Sequence, residues 1–209
     1  MSKEYADRPI GVFDSGQGGL TVLSRLVDLM PNEDYVFYGD SANAPYGVKS
    51  KEEVYQLAKR VVDELIDKHQ VKAVMIACNT ATSAAADRLR REYSLPIIGI
   101  EPAVKPAAEE NPGQQVVAMA TPLTLEQDKF NRLVAECAEP GQVVKVPAPK
   151  LVELIEKGQT DSPAIYQYLE ELLAPYAGKA AGVVLGCTHF PFAKQAIQEI
   201  LGPQAKVYD

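Results

Sequence analysis

Short apolar runs alternate with amphipathic stretches along the whole of this 209-residue chain. The apolar runs are Ile10–Phe13, Tyr35–Tyr38, Ala73–Ala77, Ile97–Ile100, Val116–Ala120, Val143–Val146, Gly182–Leu185 and Ala205–Tyr208. Each is short, rich in β-branched or aromatic residues and bounded by turn-formers, which predicts strands. Between them, Val54, Leu57, Ala58, Val61, Val62, Leu65 and Ile66 fall at helical spacing, as do Ile165, Tyr168, Leu169, Leu172 and Leu173. Strands that read as apolar on both faces, each followed by a helix, predict an α/β protein with parallel sheets covered by helices. Pro102, Pro106, Pro112 and Gly113 interrupt the rhythm across residues 100–115, and a fresh strand begins at Val116. The expected architecture is therefore two lobes, residues 1–99 and 100–209, each a mostly parallel sheet flanked by helices, with the active site in a cleft between them. A single continuous sheet with a long surface loop is the alternative.

Composition narrows the class. With 46% hydrophobic and 23% charged residues the chain has the balance of a soluble globular protein. Its longest apolar runs, such as Ala180–Leu185, fall far short of the ~20 residues of a membrane-spanning helix. No charged-then-apolar leader opens it, so a cytoplasmic location is expected. Twenty-eight acidic against 21 basic residues give a net charge of -7, with no dense basic stripe to hold a phosphate backbone. Arg88, Arg90 and Arg91 read as a solvated face at a helix end, and neither nucleic acid nor membrane is an expected partner. Cys78, Cys137 and Cys187 form an odd set with no CxxC spacing, which argues against disulfides and a structural metal site.

The most informative feature is an internal echo. Val74-Met-Ile-Ala-Cys-Asn-Thr-Ala and Val183-Val-Leu-Gly-Cys-Thr-His-Phe each run from an apolar strand through a small residue to a cysteine, then to polar residues and a helix. Ligands of open parallel sheets bind at the carboxyl ends of strands, where helix N-termini also point. A thiol there is expected to feel the positive end of a helix dipole, which lowers its pKa and suits it to act as nucleophile or base. Either cysteine alone is as readily core filler; the matched pair favours chemistry. Cys137, set among Leu133 and Val134 on a helix, reads as filler.

Other candidates are more ambiguous. The first strand delivers Asp14-Ser15-Gly16-Gln17-Gly18-Gly19, a turn with exposed backbone N–H groups suited to an anion, though Asp14 could instead cap the next helix. The spacing matches neither a dinucleotide fingerprint nor a P-loop. Gly39–Gly47 is too polar and turn-rich to be core, and is either a plain connection or a backbone clamp on a substrate. His69 lies at a helix end, while His189 could hold or share a proton beside the second thiol. From spacing alone Glu153 and Glu156 are helix-surface charges.

Phe13-Asp14-Ser15-Gly16-x-Gly18-Gly19-Leu20, Pro45-Tyr46-Gly47, Ala77-Cys78-Asn79-Thr80-Ala81 and Gly186-Cys187-Thr188-His189-Phe190-Pro191 together resemble the glutamate racemase family, in the family's order, from about Pro9 to Asp209. The related aspartate racemases usually lack the Asp-Ser-Gly-x-Gly-Gly opening and carry Gly-Cys-Thr-Glu at the second thiol. The resemblance implies a cofactor-independent enzyme interconverting L- and D-glutamate to supply D-glutamate for peptidoglycan. It makes Cys78 and Cys187 the two bases, assisted by Asp14 and His189 respectively, and matches the family's catalytic glutamate to Glu156 by alignment on Gly158. Asp14, Ser15, Asn79, Thr80, Thr121, Thr188 and His189, with the Tyr46 and Gly47 backbone, would hold the substrate. The chain departs from the family at Ala120 and Gln127, where Gly and Ser are common, at Ala148 and Glu153, where Cys and Pro are usual, and at Asn43, where Arg is usual. Members usually continue past the position of Asp209 with a segment that packs on the first lobe, so a shortened first lobe is expected. A racemase for another amino acid such as aspartate, and a catalytically weak amino-acid-binding protein, are the competing readings. A homodimer is left open.

Overall fold

Every apolar run named above is a strand, with ends within one residue of those expected. The structure, a computed structural model, describes residues 3–209. The chain divides into two compact units, Met1–Glu101 and Pro102–Asp209. In the first, a short helix α1 (Lys3–Ala6) precedes β1 (Ile10–Asp14), α2 (Leu20–Leu29), β2 (Tyr35–Gly39), α3 (Lys51–His69), β3 (Ala73–Ile76), α4 (Asn79–Glu92) and β4 (Ile97–Gly99). The second runs α5 (Val104–Glu110), β5 (Val116–Ala120), α6 (Pro122–Glu126), α7 (Asp128–Cys137), β6 (Val143–Pro147), α8 (Pro149–Glu156), α9 (Pro163–Leu173), β7 (Gly182–Leu185), α10 (Lys194–Leu201) and β8 (Lys206–Tyr208).

The strands form two separate four-stranded sheets, ordered β2-β1-β3-β4 and β6-β5-β7-β8, and every pairing is parallel. The single-sheet alternative is thereby excluded. Within each unit the order is second, first, third, fourth. The direction of winding therefore reverses between the first and third strands, and it is at the carboxyl ends of such a pair that open parallel sheets bind ligands. In the first unit those ends are Asp14 and Ile76; in the second they are Ala120 and Leu185.

Burial is two-sided only in part. All five residues of β5 and all four of β7 are buried, and in β5 the faces alternate. Val117 and Met119 pack into a cluster with Leu151, Ile155, Ile165, Leu169 and Ile197, while Val116, Ala118 and Ala120 pack with Val104, Ala107 and Phe130. Fully burying side chains of this size contributes about 1.5–3 kcal/mol each, so these clusters hold the unit together. The outer strands differ from expectation: β2 has no buried residue and β6 only Val146. An edge strand has a neighbour on one side only, so its side chains are covered less completely.

Local chemistry sets the helices. Ser50 and Glu53 form a reciprocal capping box at the start of α3, Lys68 and His69 occupy its last turn, and Gln70 closes it in a left-handed conformation. Val54, Ala58, Val61, Val62 and Leu65 are its buried stripe. His69 is exposed, and so are Arg88, Arg90 and Arg91 near the end of α4. The Pro-rich stretch after Ile100 is not irregular throughout: it contains α5, with Pro106 in the first turn, where a missing N–H breaks no helical hydrogen bond. Among the described residues no helix is long and apolar enough to cross a membrane.

Candidate active site

At the carboxyl end of β1, Asp14 is completely buried. Its Oδ2 accepts a hydrogen bond from the Gly16 amide at 3.0 Å, which folds the glycine-rich turn around the carboxylate. The helix that follows has its N-cap at Gly19, five residues on, so Asp14 shapes the turn rather than standing at the cap. Gly19 has ordinary helical φ and ψ, and its need for glycine is one of space: a Cβ there would lie 2.4 Å from Asp14 Cβ. On the neighbouring strand the Ala77 amide donates to Phe13 O at 2.7 Å, tying the end of β3 to that of β1.

Cys78 follows at once as the N-cap of α4, its sulfur accepting from the Ala81 amide at 3.4 Å and its S–H donating to Ser15 Oγ at 3.3 Å. On balance this thiol's pKa is raised and not lowered, contrary to what its place at a helix end beyond a strand predicts. Burial, and then the negative charge of Asp14, push it up to about 11; the hydrogen bonds that the Ser15 hydroxyl, which turns donor when the sulfur ionises, and the Ala81 and Ser15 amides give the thiolate offset that only in part. Desolvation acts on the whole charge of a thiolate, whereas a helix terminus presents only about half a charge. Asn79 and Thr80, the first residues of α4, are buried beside it. Asn79 Oδ1 is buried with no hydrogen-bond partner, an acceptor that asks for a donor.

The loop after β2 folds into two short 3-10 turns, Ser41–Asn43 and Tyr46–Val48. Its polarity suggests a surface segment, yet Asp40, Tyr46 and Gly47 are buried. Tyr46 stacks at a tilt on Phe13, with ring centroids 6.2 Å apart, and its hydroxyl donates to Asp40 Oδ2 at 2.7 Å. Asn43 Nδ2 donates to the other carboxylate oxygen at 2.8 Å. Burial and the Asp40 carboxylate keep the Tyr46 hydroxyl protonated. Sequence reasoning passes over Asp40; the signal available is a lone aromatic six residues downstream in an otherwise polar loop.

In the second unit, Cys187, Thr188 and His189 are buried just beyond β7. No α-helix begins directly after this thiol, contrary to the echo: Phe190–Ala193 is a 3-10 turn containing Pro191, and α10 starts only at Lys194. Cys187 Sγ lies 3.7 Å from His189 Nδ1, and His189 Nε2 lies 2.5 Å from Glu156 Oε1. A carboxylate on Nε2 favours the tautomer with its proton there, which leaves Nδ1 as an acceptor towards the thiol. Glu156 is thus no plain surface charge. It ends α8 with its side chain 19% exposed, whereas Glu153 on the same helix is exposed to solvent. Thr121, at the end of β5, caps α6 through the Thr124 amide, and the two hydroxyls meet at 2.9 Å. Cys137 donates to Leu133 O along its own helix at 2.8 Å and has no partner from either strand-end group. Among the described residues no cluster of His, Cys, Asp and Glu has the makings of a metal site.

Each unit therefore carries one thiol just beyond its third strand, with a hydroxyl as its partner in one case and an imidazole in the other. The family model for Asp/Glu/hydantoin racemases matches residues 10–209. The chain belongs to the Asp/Glu/hydantoin racemase family. It is accordingly an isomerase. Among proteins of this racemase family, it is 49% identical over 203 residues to the glutamate racemase of Clostridium novyi, covering 96% of this chain and 78% of that one. Its fold matches the crystal structure of Escherichia coli glutamate racemase in complex with L-glutamate and an activator, at a TM-score of 0.86, 29% identity and coverage of 96% and 77%. It also matches the Francisella tularensis glutamate racemase in complex with D-glutamate, at a TM-score of 0.80, 34% identity and coverage of 97% and 76%.

Proposed function

We propose that this racemase interconverts L- and D-glutamate without a cofactor, Cys78 and Cys187 working on opposite faces of one α-carbon. The observation that carries this reading is the equivalence of the two thiols: each follows the third strand of a sheet of the same order, where such sheets bind ligands. In one direction a thiolate takes the α-proton, the electron pair of the C–H bond passes into the α-carboxylate as an enediolate, and the opposite S–H returns a proton to the other face. The first sulfur ends protonated and the second ionised, so the reverse reaction starts from the product state. A carbon acid is weak, and a base whose conjugate acid has a pKa near 11 takes its proton with less mismatch than an ordinary thiolate.

Around each thiol stands a group that can hold charge or a proton: Asp14 beside Cys78, and His189 backed by Glu156 beside Cys187. Asn79 Oδ1, an acceptor with no partner, suits the substrate ammonium. The hydroxyls of Ser15, Thr80, Thr121 and Thr188 and the backbone N–H groups of Tyr46 and Gly47 suit its two carboxylates. The glutamate racemases that match the chain over nearly all its length support glutamate as the substrate. The role that follows is supply of D-glutamate for peptidoglycan in the cytoplasm.

The test is α-proton exchange of L- and D-glutamate in heavy water, followed by NMR, with aspartate in parallel. Wild-type protein is expected to exchange both glutamate enantiomers. Cys78→Ser and Cys187→Ser are each expected to lose racemisation by about a thousandfold or more, since a Ser hydroxyl is a far weaker acid than a thiol. Exchange of aspartate in preference to glutamate would move the assignment to the other dicarboxylic acid, and binding without exchange would make the protein a binder.

A further inference from the structure

We infer that Asp40 is a positioning residue, the anchor that fixes the Tyr46–Gly47 backbone where the substrate is to be held. The inference rests on the glutamate reading above for its substrate, but its structural half stands by itself. Asp40 is only 5% exposed, an expensive place for a carboxylate unless its oxygens are satisfied. Both are: Tyr46 donates to Oδ2 at 2.7 Å and Asn43 donates to Oδ1 at 2.8 Å, while the Arg60 guanidinium, 3.6 Å from Oδ2 on an exposed side chain, adds only a solvent-screened ion pair. Buried and with each oxygen hydrogen-bonded to its own loop, this carboxylate is placed to hold something still.

What it holds is the loop. Its own amide donates to Asp14 O at 3.0 Å, extending the β1–β2 ladder by one bond, and its carbonyl accepts from the Asn43 amide at 3.0 Å. The Tyr46 hydroxyl then pins the loop six residues further on, with the tyrosine ring against Phe13, the neighbour of Asp14. One side chain thus fastens the Tyr46–Gly47 segment to the strand that carries Asp14 and Ser15. A simple connection between a strand and a helix would be served by an exposed turn residue. A buried carboxylate with a charge-assisted tyrosine bond is the more rigid solution, and rigid donors are what carboxylate recognition needs.

Asp40→Asn, which removes the charge from the bond, and Tyr46→Phe, which removes the bond itself, test this from its two ends. Each is expected to raise KM for glutamate by about tenfold, the effect of one such hydrogen bond, while kcat stays within roughly threefold. The double variant is expected to be little worse than either single one. Amide hydrogen exchange across residues 40–48 is expected to accelerate in all three, with residues 73–92 unchanged. Arg60→Ala, which leaves the Tyr46 bond in place, is expected to keep the wild-type KM. Unchanged KM and unchanged loop exchange in both single variants, or an Arg60→Ala variant that reproduces their effect, would overturn the inference. Should Asp40→Asn not fold, Tyr46→Phe, which removes a single oxygen, decides it. If the wild type exchanges no glutamate α-proton, the substrate reading fails, while loop exchange still decides whether Asp40 anchors the segment.

Discussion

Cys78 is hemmed in by opposing effects: the helix N-terminus and the Ser15 and Ala81 hydrogen bonds favour a thiolate, while burial and Asp14 oppose it and win. Such a thiol ties acid–base behaviour to stability. Its folded-state pKa, about 11, lies above the ordinary thiol value of 9.0, so the folded protein holds this proton more tightly than the unfolded chain. The stabilisation is complete below pH 9 and is lost as pH rises towards 11. The loss amounts to about 3 kcal/mol at most, because each tenfold change in acidity is worth roughly 1.4 kcal/mol. Urea unfolding of wild type and Cys78→Ala between pH 8 and 11 checks this: wild-type stability is expected to fall more steeply than the variant's, whereas parallel curves would mean that the thiol titrates normally. None of this is legible in the sequence, which places Cys78 correctly beyond a strand but does not show how deeply it is buried. Asp40 escapes sequence reasoning for a related reason, and Glu156 is reached only through the family resemblance. A carboxylate in a polar loop or at a helix end looks solvated until tertiary structure brings Tyr46 or His189 against it.

At the scale of elements, periodicity suffices for the strands, because central strands must alternate or be continuously apolar whatever surrounds them. It fails where one or two residues decide the backbone: Pro106 reads as an interruption although it lies in the first turn of α5, and Pro191 lies in a 3-10 turn where the pattern predicts a helix. The turn from β1 to α2 shows how closely an element junction and the site depend on each other. A methyl group on Gly19 would lie 2.4 Å from Asp14 Cβ and 3.0 Å from Phe37 Cε2, so either the carboxylate or the helix must shift. Gly19→Ala is expected to cost about 1–3 kcal/mol of stability, as overpacking generally does, and to slow racemisation by about tenfold or more through displacement of Asp14. Urea midpoints and turnover measured on the same preparation check it. Full activity in a destabilised variant would show that the helix had given way and that the carboxylate had kept its place.

For the molecule as a whole, the echo between the two cysteine motifs proves to be one of topology. Both sheets are wound second, first, third, fourth, and both thiols follow the third strand. The repetition is not a copying of chemistry: one thiol is paired with a serine beside an aspartate, the other with a histidine backed by a glutamate. This combination suits a reaction whose substrate and product are mirror images at one carbon, since the two faces need equivalent positions while the remainder of the amino acid is held in one orientation. If a single chain supplies both thiols to one α-carbon, Cys78→Ser and Cys187→Ser cannot rescue each other. Mixing the two inactive variants, with unfolding and refolding together to allow any exchange of subunits, is then expected to restore no racemisation. Were the two thiols of a site drawn from different chains of a dimer, half of the random pairs would be mixed and each would hold one intact site, returning roughly a quarter of wild-type activity. Recovery near that level would reassign the active site to an assembly of two chains and leave each thiol its place beyond a third strand.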